Sequence, residues 1–240
     1  HDRLIDALPP DTKLLIVNSP NNPTGWTIEE EAVDAILLHC RRHGIWVLCD
    51  DVYERLVYDT DRASAPSFRK GYEDGDRIIS VNSLSKAWAM TGWRAGWMVV
   101  PKELTDDLSK VIEYSFSCMF EPVQRAAAIA LREGEPEVLR IRQILSHSRT
   151  VLVEALKTIR GVEVPEAGGA MYAFFRVEGE SNSLELAKRL VNDVGLGLAP
   201  GVAFGSEGDG WLRWCHAVAS DQRLLEGVER LETFLKRRRT

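Results

Sequence analysis

The chain has 240 residues, with 30 Lys+Arg against 36 Asp+Glu, so it carries a net charge of −6. Apolar residues make up 45% and charged residues 28%, which excludes intrinsic disorder and collagen-like sequence and allows a sizeable core. No apolar run approaches the roughly 20 residues of a membrane helix, the opening residues lead one to expect no secretory leader, and the acidic balance argues against a nucleic-acid partner.

Leu14–Asn18 reads as a short buried strand. It runs into Ser19-Pro20-Asn21-Asn22-Pro23-Thr24-Gly25, where two prolines and a glycine forbid regular structure. Thr27 with Glu30 three residues on has the spacing of a capping box, and predicts a helix over Val33, Ile36, Leu37 and Cys40 that Gly44 ends. Ile45–Cys49 is a second strand ending at Asp50-Asp51, and Val52–Leu56 a helical turn. Ile78–Val81 is a third strand, and Trp93–Val100 a fourth. Pro101 suits the first turn of a helix that Leu104, Leu108, Val111, Ile112 and Ser115 continue.

Arg132-Glu133-Gly134-Glu135-Pro136 breaks the pattern, giving domains at 1–133 and 134–240. A long helix follows, striped by Val138, Ile141, Leu145, Leu152, Leu156 and Ile159. Strands at Val162–Val164 and Met171–Val177, a helix at Ser183–Val194, a strand at Trp211–Cys215 and a helix at Asp221–Lys236 complete the chain. The fold class is α/β, a mostly parallel sheet flanked by helices, with a smaller α+β C-terminal domain. The Lys236–Arg239 run is a solvated helix end suited to the negative pole of the dipole. Cys40, Cys49, Cys118 and Cys215 form no CxxC pair and read as free thiols of a reducing compartment, three of them in apolar surroundings. Met171, Tyr172, Phe174 and Phe175 read as core, and His216 as structural.

In open parallel sheets, ligands sit beyond the carboxyl ends of strands. The polar clusters at 18–25, 50–53 and 82–86 all occupy such ends. A lysine there, Lys86, could form a Schiff base with an aldehyde, and Ser83, Ser85 and Arg94 could hold a phosphate. Together they suit pyridoxal 5′-phosphate, although a lone Ser-x-Ser-Lys is most often an ordinary loop lysine. Asp50, ending an apolar strand, needs a partner such as a protonated pyridine nitrogen; otherwise it caps a helical turn, a part that Asp51 could play instead. Tyr53 and Asn22 could reach the ring's phenolic oxygen.

The chain resembles the class I/II aminotransferases, the aspartate-aminotransferase-like branch of the fold type I pyridoxal-phosphate enzymes. The matching motifs are Ser19–Gly25, Asp50-Asp51-Val52-Tyr53, Ser83-Leu84-Ser85-Lys86 with Gly92-Trp93-Arg94-Ala95-Gly96, Pro200-Gly201-Val202-Ala203-Phe204-Gly205, and Leu212-Arg213-Trp214. The resemblance implies that residues 1–133 are part of the cofactor-binding large domain. It implies that Lys86 carries the Schiff base and shuttles the substrate proton, and that Asp50 pairs with the pyridine nitrogen. Asn22 and Tyr53 would bond the phenolic oxygen, and Ser83, Ser85 and Arg94 the phosphate. Arg213 would clamp the substrate α-carboxylate; apart from the resemblance, a strand arginine paired to a surface acid is as good a reading. The implied reaction moves an amino group from an amino acid to a 2-oxo acid, in a cytoplasmic homodimer. Alternatives are a β-lyase or carbon–sulfur lyase on the same fold, or the cofactor-sensing domain of a transcription regulator. Family members carry a longer N-terminal region, so the 240 residues alone are expected to take up cofactor weakly.

Overall fold

The computed structural model describes residues 2–59, 61–218 and 220–237. The chain divides into two compact units, one of residues 1–20 and 27–141, the other of residues 21–26 and 142–240.

In the first unit, α1 (Asp2–Ala7) precedes β1 (Leu14–Asn18), α2 (Glu30–His43), β2 (Trp46–Asp50), β3 (Ile78–Ser83) and β4 (Gly96–Val99). The four strands form one sheet in the order β1-β2-β3-β4. β1, β2 and β3 are parallel and β4 is antiparallel to β3, so the sheet is mostly parallel as expected. Leu15, Val17, Val47, Cys49 and Ile78 turn to one face, where Val33, Ile36, Leu37 and Cys40 of α2 cover them. This is the period of two of the strands meeting the apolar stripe of a helix. Gly44 closes α2 in the left-handed conformation at φ 67°, as its position predicts.

The capping box does not form. α2 starts at Glu30 behind Glu29, which gives no side-chain cap. The Ile28 amide donates instead to Ser19 Oγ at 2.9 Å, the buried Thr27 hydroxyl makes no hydrogen bond, and Glu30 turns outward to Lys70 Nζ at 3.1 Å. β4 is also shorter than Trp93–Val100. Thr91–Trp93 is a 3-10 turn and Arg94 is left-handed at φ 54°, which interrupts the extended run. Gly96 then passes so close to β3 that a Cβ there would lie 2.5 Å from the Asn82 carbonyl oxygen. After β2, single turns replace the predicted helical turn, with Glu54 N–H on the Asp51 carbonyl and Leu56 N–H on that of Tyr53.

α3 (Thr105–Phe116) follows a 3-10 turn at Lys102–Leu104, and α4 (Glu121–Glu133) follows it. The predicted helix is present, but its apolar side is not core: α3 has no buried residue, and Val111, Tyr114 and Phe116 are exposed. α5 (Glu135–Lys157) is a single 23-residue helix whose first seven residues belong to this unit and whose remainder belongs to the other.

In the second unit come β5 (Val162–Glu163), β6 (Tyr172–Val177), α6 (Ser183–Val194), β7 (Ala199–Pro200), β8 (Trp211–Cys215) and α7 (Asp221–Arg237). The strands make an antiparallel sheet in the order β5-β6-β8-β7. One face of it, with Phe175 and Leu212, packs on Leu152 and Leu156 of α5, Leu186 and Leu190 of α6, and Leu224 and Leu231 of α7, all essentially fully buried. The α+β character expected of this part is present. Of the Lys236–Arg239 run, Arg238 and Arg239 lie outside the described residues. Among the described residues no helix is long and apolar enough to cross a membrane.

All four cysteines are free, but only Cys40 and Cys49 are buried; Cys118 and Cys215 are exposed. Cys215 and His216 alternate out and in, as neighbours on extended backbone must.

Candidate active site

The parallel register of the first unit sets three strand ends side by side. Asn18 pairs with Asp50, Asp50 pairs with Val81, and Ser83 ends β3 two residues further on. Asn18 Nδ2 donates to the Asp50 carbonyl at 3.0 Å. The strand alternation then separates two adjacent carboxylates. Asp51 is buried, accepts a hydrogen bond from Ser80 Oγ, and lies 3.9 Å from Arg69 Nε. Burial holds its carboxyl above the usual range, opposed by Ser80 and Arg69. Asp50 is half-buried, and among the described residues its Oδ1 meets only the Val52 amide, at 3.4 Å. With no helical turn there to cap, Asp50 simply meets the Val52 amide, and Asp51 turns inward to Ser80.

Beyond β3 the chain closes a tight loop. Leu84 N–H donates to the Ala95 carbonyl at 3.1 Å, Met90 N–H to that of Leu84 at 3.1 Å, and Ala89 N–H to that of Lys86 at 3.2 Å. Leu84 and Ala87 are buried while Ser83, Ser85 and Lys86 are half-buried, so the loop anchors on its apolar residues and presents its polar ones. Ser83 Oγ sits 2.9 Å from Ser85 Oγ and accepts the Ser85 amide hydrogen at 3.1 Å. Lys86 Nζ lies over the ring of the buried Tyr53, 5.7 Å from its centroid. Arg94 is exposed, with Nη1 donating to the Thr91 carbonyl at 2.9 Å. Six of the expected site residues, Asp50, Tyr53, Ser83, Ser85, Lys86 and Arg94, thus belong to this unit. Among the described residues neither Asp50 nor Lys86 enters an ion pair.

The other two, Asn22 and Arg213, belong to the second unit and touch each other. The 21–26 segment is a closed turn: Gly25 N–H donates to the Asn21 carbonyl and Asn21 N–H to that of Trp26, both at 2.8 Å, and Asn21 Oδ1 takes the Thr24 hydroxyl. This is the Asx chemistry that favours asparagine in turns. Gly25 sits at φ 71°, and its carbonyl accepts the amides of Gly168 and Gly169 at 2.9 and 3.0 Å. Asn22 Oδ1 then accepts a hydrogen bond from Arg213 Nη1 at 2.6 Å.

Arg213 does not pair with a surface acid. Among the described residues it has no carboxylate partner, and its buried Nε makes no hydrogen bond. Its guanidinium carbon lies 4.4 Å from the ring centroid of Tyr172 and 4.7 Å from that of Phe204. Neither ring is among the site residues that the sequence predicts. Tyr172 and Phe175 are buried core residues as expected, and Tyr172 also lies under Arg213, while the half-buried Phe174 stacks on Trp211 at 5.2 Å. The period of two carried the missing signal, because Tyr172 and Phe174 share a strand face and Phe174 pairs with Arg213 across the sheet.

The first unit thus presents a half-buried acid and a lysine at neighbouring strand ends with paired hydroxyls nearby, and the second unit a guanidinium with no carboxylate partner among the described residues. The family described as aminotransferase class I and II matches residues 2–231, and the chain belongs to that family. It is 34% identical over 239 residues to a probable N-acetyl-LL-diaminopimelate aminotransferase of Bacillus subtilis, covering 99% of this chain and 59% of that protein. It is 32% identical over 238 residues to an aspartate aminotransferase of Pyrococcus horikoshii, covering 98% of this chain and 60% of that protein. Among solved structures, an aromatic aminotransferase from Pyrococcus horikoshii superposes with a TM-score of 0.91 at 32% identity, over 99% of this chain and 64% of that one. An aspartate aminotransferase from Thermotoga maritima gives 0.87 at 31%, over 98% and 60%. The chain thus spans about three-fifths of the length of the curated relatives it matches.

Proposed function

We propose that the protein is a pyridoxal-phosphate-dependent aminotransferase, moving an amino group from an amino acid to a 2-oxo acid. One observation carries this reading. Asp50, Lys86 and Arg213 are half-buried charges, and among the described residues none is spent in an ion pair. Partly desolvated charges of that kind ask for partners from outside the chain. The donor set fits the cofactor. Asp50 would accept the pyridinium N–H, Ser83, Ser85 and Arg94 would hold the phosphate, and Tyr53 and Asn22 would flank the phenolic oxygen. Bound there, pyridoxal phosphate supplies an electron sink for the pair left at the substrate Cα.

The chain's own residues would do the rest. Arg213 would bind the substrate α-carboxylate through a planar fork that lysine does not offer. Lys86 Nζ would take the proton from the substrate Cα and deliver it to C4′ of the cofactor. The amino acid preference is that of the intact protein, as are its homodimeric assembly and cytoplasmic location, which belong to the same proposal. The lyase and sensor alternatives gain no observation from the site.

The test is borohydride reduction of the full-length protein with pyridoxal phosphate, followed by peptide mapping and an assay of 2-oxo acid formation. A label on Lys86 with stoichiometric amino transfer is the expected result. A label on Lys102 or Lys110, or release of ammonia in place of transfer, overturns it.

A further inference from the structure

Among the described residues the guanidinium of Arg213 is held by neutral groups alone. Asn22 Oδ1 takes Nη1 at 2.6 Å, and the carbon lies over the faces of Tyr172 and Phe204 at 4.4 and 4.7 Å. An aromatic face attracts a cation without using its N–H donors, since the donors lie in the guanidinium plane and the ring lies out of it. Both rings are themselves fixed. Tyr172 is buried on β6. Phe204 ends a 3-10 turn, Gly201–Phe204, that packs backbone to backbone: a Cβ on Gly201 would clash directly with the Gly208 carbonyl. The Val202 amide in that turn is tied to the buried Ser183 hydroxyl at 3.1 Å.

We propose that Tyr172 and Phe204 are positioning residues that fix the plane of Arg213 and keep its remaining donors free for a carboxylate. This rests on the reading of Arg213 as the carboxylate site. An acid in their place would also hold the guanidinium, but it would occupy the donors that the substrate needs. The rings offset part of the cost of desolvating the cation and leave its hydrogen-bonding edge unspent. They also stop rotation of the planar group, so little conformational freedom is lost when a carboxylate arrives.

The probe is propionate, a carboxylate without an amino group, titrated into the full-length protein loaded with pyridoxal phosphate. The readout is the Arg213 Nε–Hε resonance in arginine-labelled protein. In the wild type it should be shifted upfield by the two rings, rigid on the nanosecond scale, and moved by propionate. Tyr172→Leu and Phe204→Leu should each lose part of the ring shift and weaken propionate binding about tenfold, while Tyr172→Phe keeps both. Unchanged resonance and affinity in the two leucine variants overturn the proposal. So does a rapidly averaging Nε–Hε in the wild type, a measurement that holds even if a leucine variant fails to fold. A rigid, ring-shifted resonance that propionate does not move has a different meaning: it overturns the carboxylate reading of Arg213 itself, and the proposal falls with it.

Discussion

Asp50 and Asp51 leave β2 on opposite sides, and their surroundings assign them different work. Asp51 accepts a hydrogen bond from Ser80 in the core, so Asp51→Ala strands a buried hydroxyl and should cost about 1–3 kcal/mol of stability. Urea unfolding should show that loss while kcat in the intact protein changes little. Asp50→Ala should do the reverse, lowering kcat by orders of magnitude with a small change in the unfolding midpoint. The opposite pattern would mean the register is wrong. His216 supplies a pH-dependent counterpart. Burial first, and then the Arg149 charge, push its pKa down from 6.5 to about 4. The folded state therefore holds it neutral, and the unfolded chain binds the extra proton between about pH 4 and 6.5. Its contribution is complete above pH 6.5 and is lost as pH falls towards 4. His216→Gln should flatten that part of the stability profile in chemical unfolding measured from pH 4 to 8. An unaltered slope would assign the acid sensitivity to other groups.

Many elements with an apolar period were legible in the sequence, but the 13-residue α4 was not, and neither were most of the short or irregular ones. Ser183–Val194 and Trp211–Cys215 coincide with their expected limits, because each presents an apolar face to one core. The two-residue strand β5 falls within the expected Val162–Val164, but β7 is too short for a pattern, and the capping box over Thr27 lost to a hydroxyl from Ser19, eight residues earlier. The expected site residues of the first unit do gather at strand ends, since parallel register alone aligns Asn18, Asp50 and Ser83. The rings around Arg213 were not legible as such: Tyr172, in an apolar strand, looks like core until the strand face is known, and Phe204 sits on a 3-10 turn that carries no period. The 21–26 turn gives an element-scale prediction. A Cβ on Gly25 would lie 2.5 Å from that of Ala167, at a φ of 71° that only glycine adopts readily. Gly25→Ala should destabilise by about 1–3 kcal/mol. It should also weaken carboxylate binding by displacing Asn22. Full stability in thermal unfolding would show that the Gly168-Gly169 backbone yields instead.

Across the whole molecule, apolar surface is left in contact with water. Leu14 and Ile16 on β1 are 44% and 63% exposed, and Tyr114, Phe116 and Phe120 around α3 are 92%, 65% and 73% exposed. Parallel strands are ordinarily covered on both faces. The 240 residues expressed alone should therefore bind a hydrophobic dye and associate as concentration rises. Sedimentation giving a monomer that excludes the dye would show that this surface is tolerated. The division of the chain adds a consequence for recombination. The polypeptide leaves the first unit at residue 20, returns at 27 and leaves again at 141, so the second unit is encoded in two separated stretches. A gene chimera joined at 141 would combine Arg213 from one parent with Asn22 and the Gly25 carbonyl from the other. Exchange between relatives at that junction should succeed more often when residues 21–26 travel with 142–240. A library with a single breakpoint should yield fewer working hybrids than one that moves both stretches together.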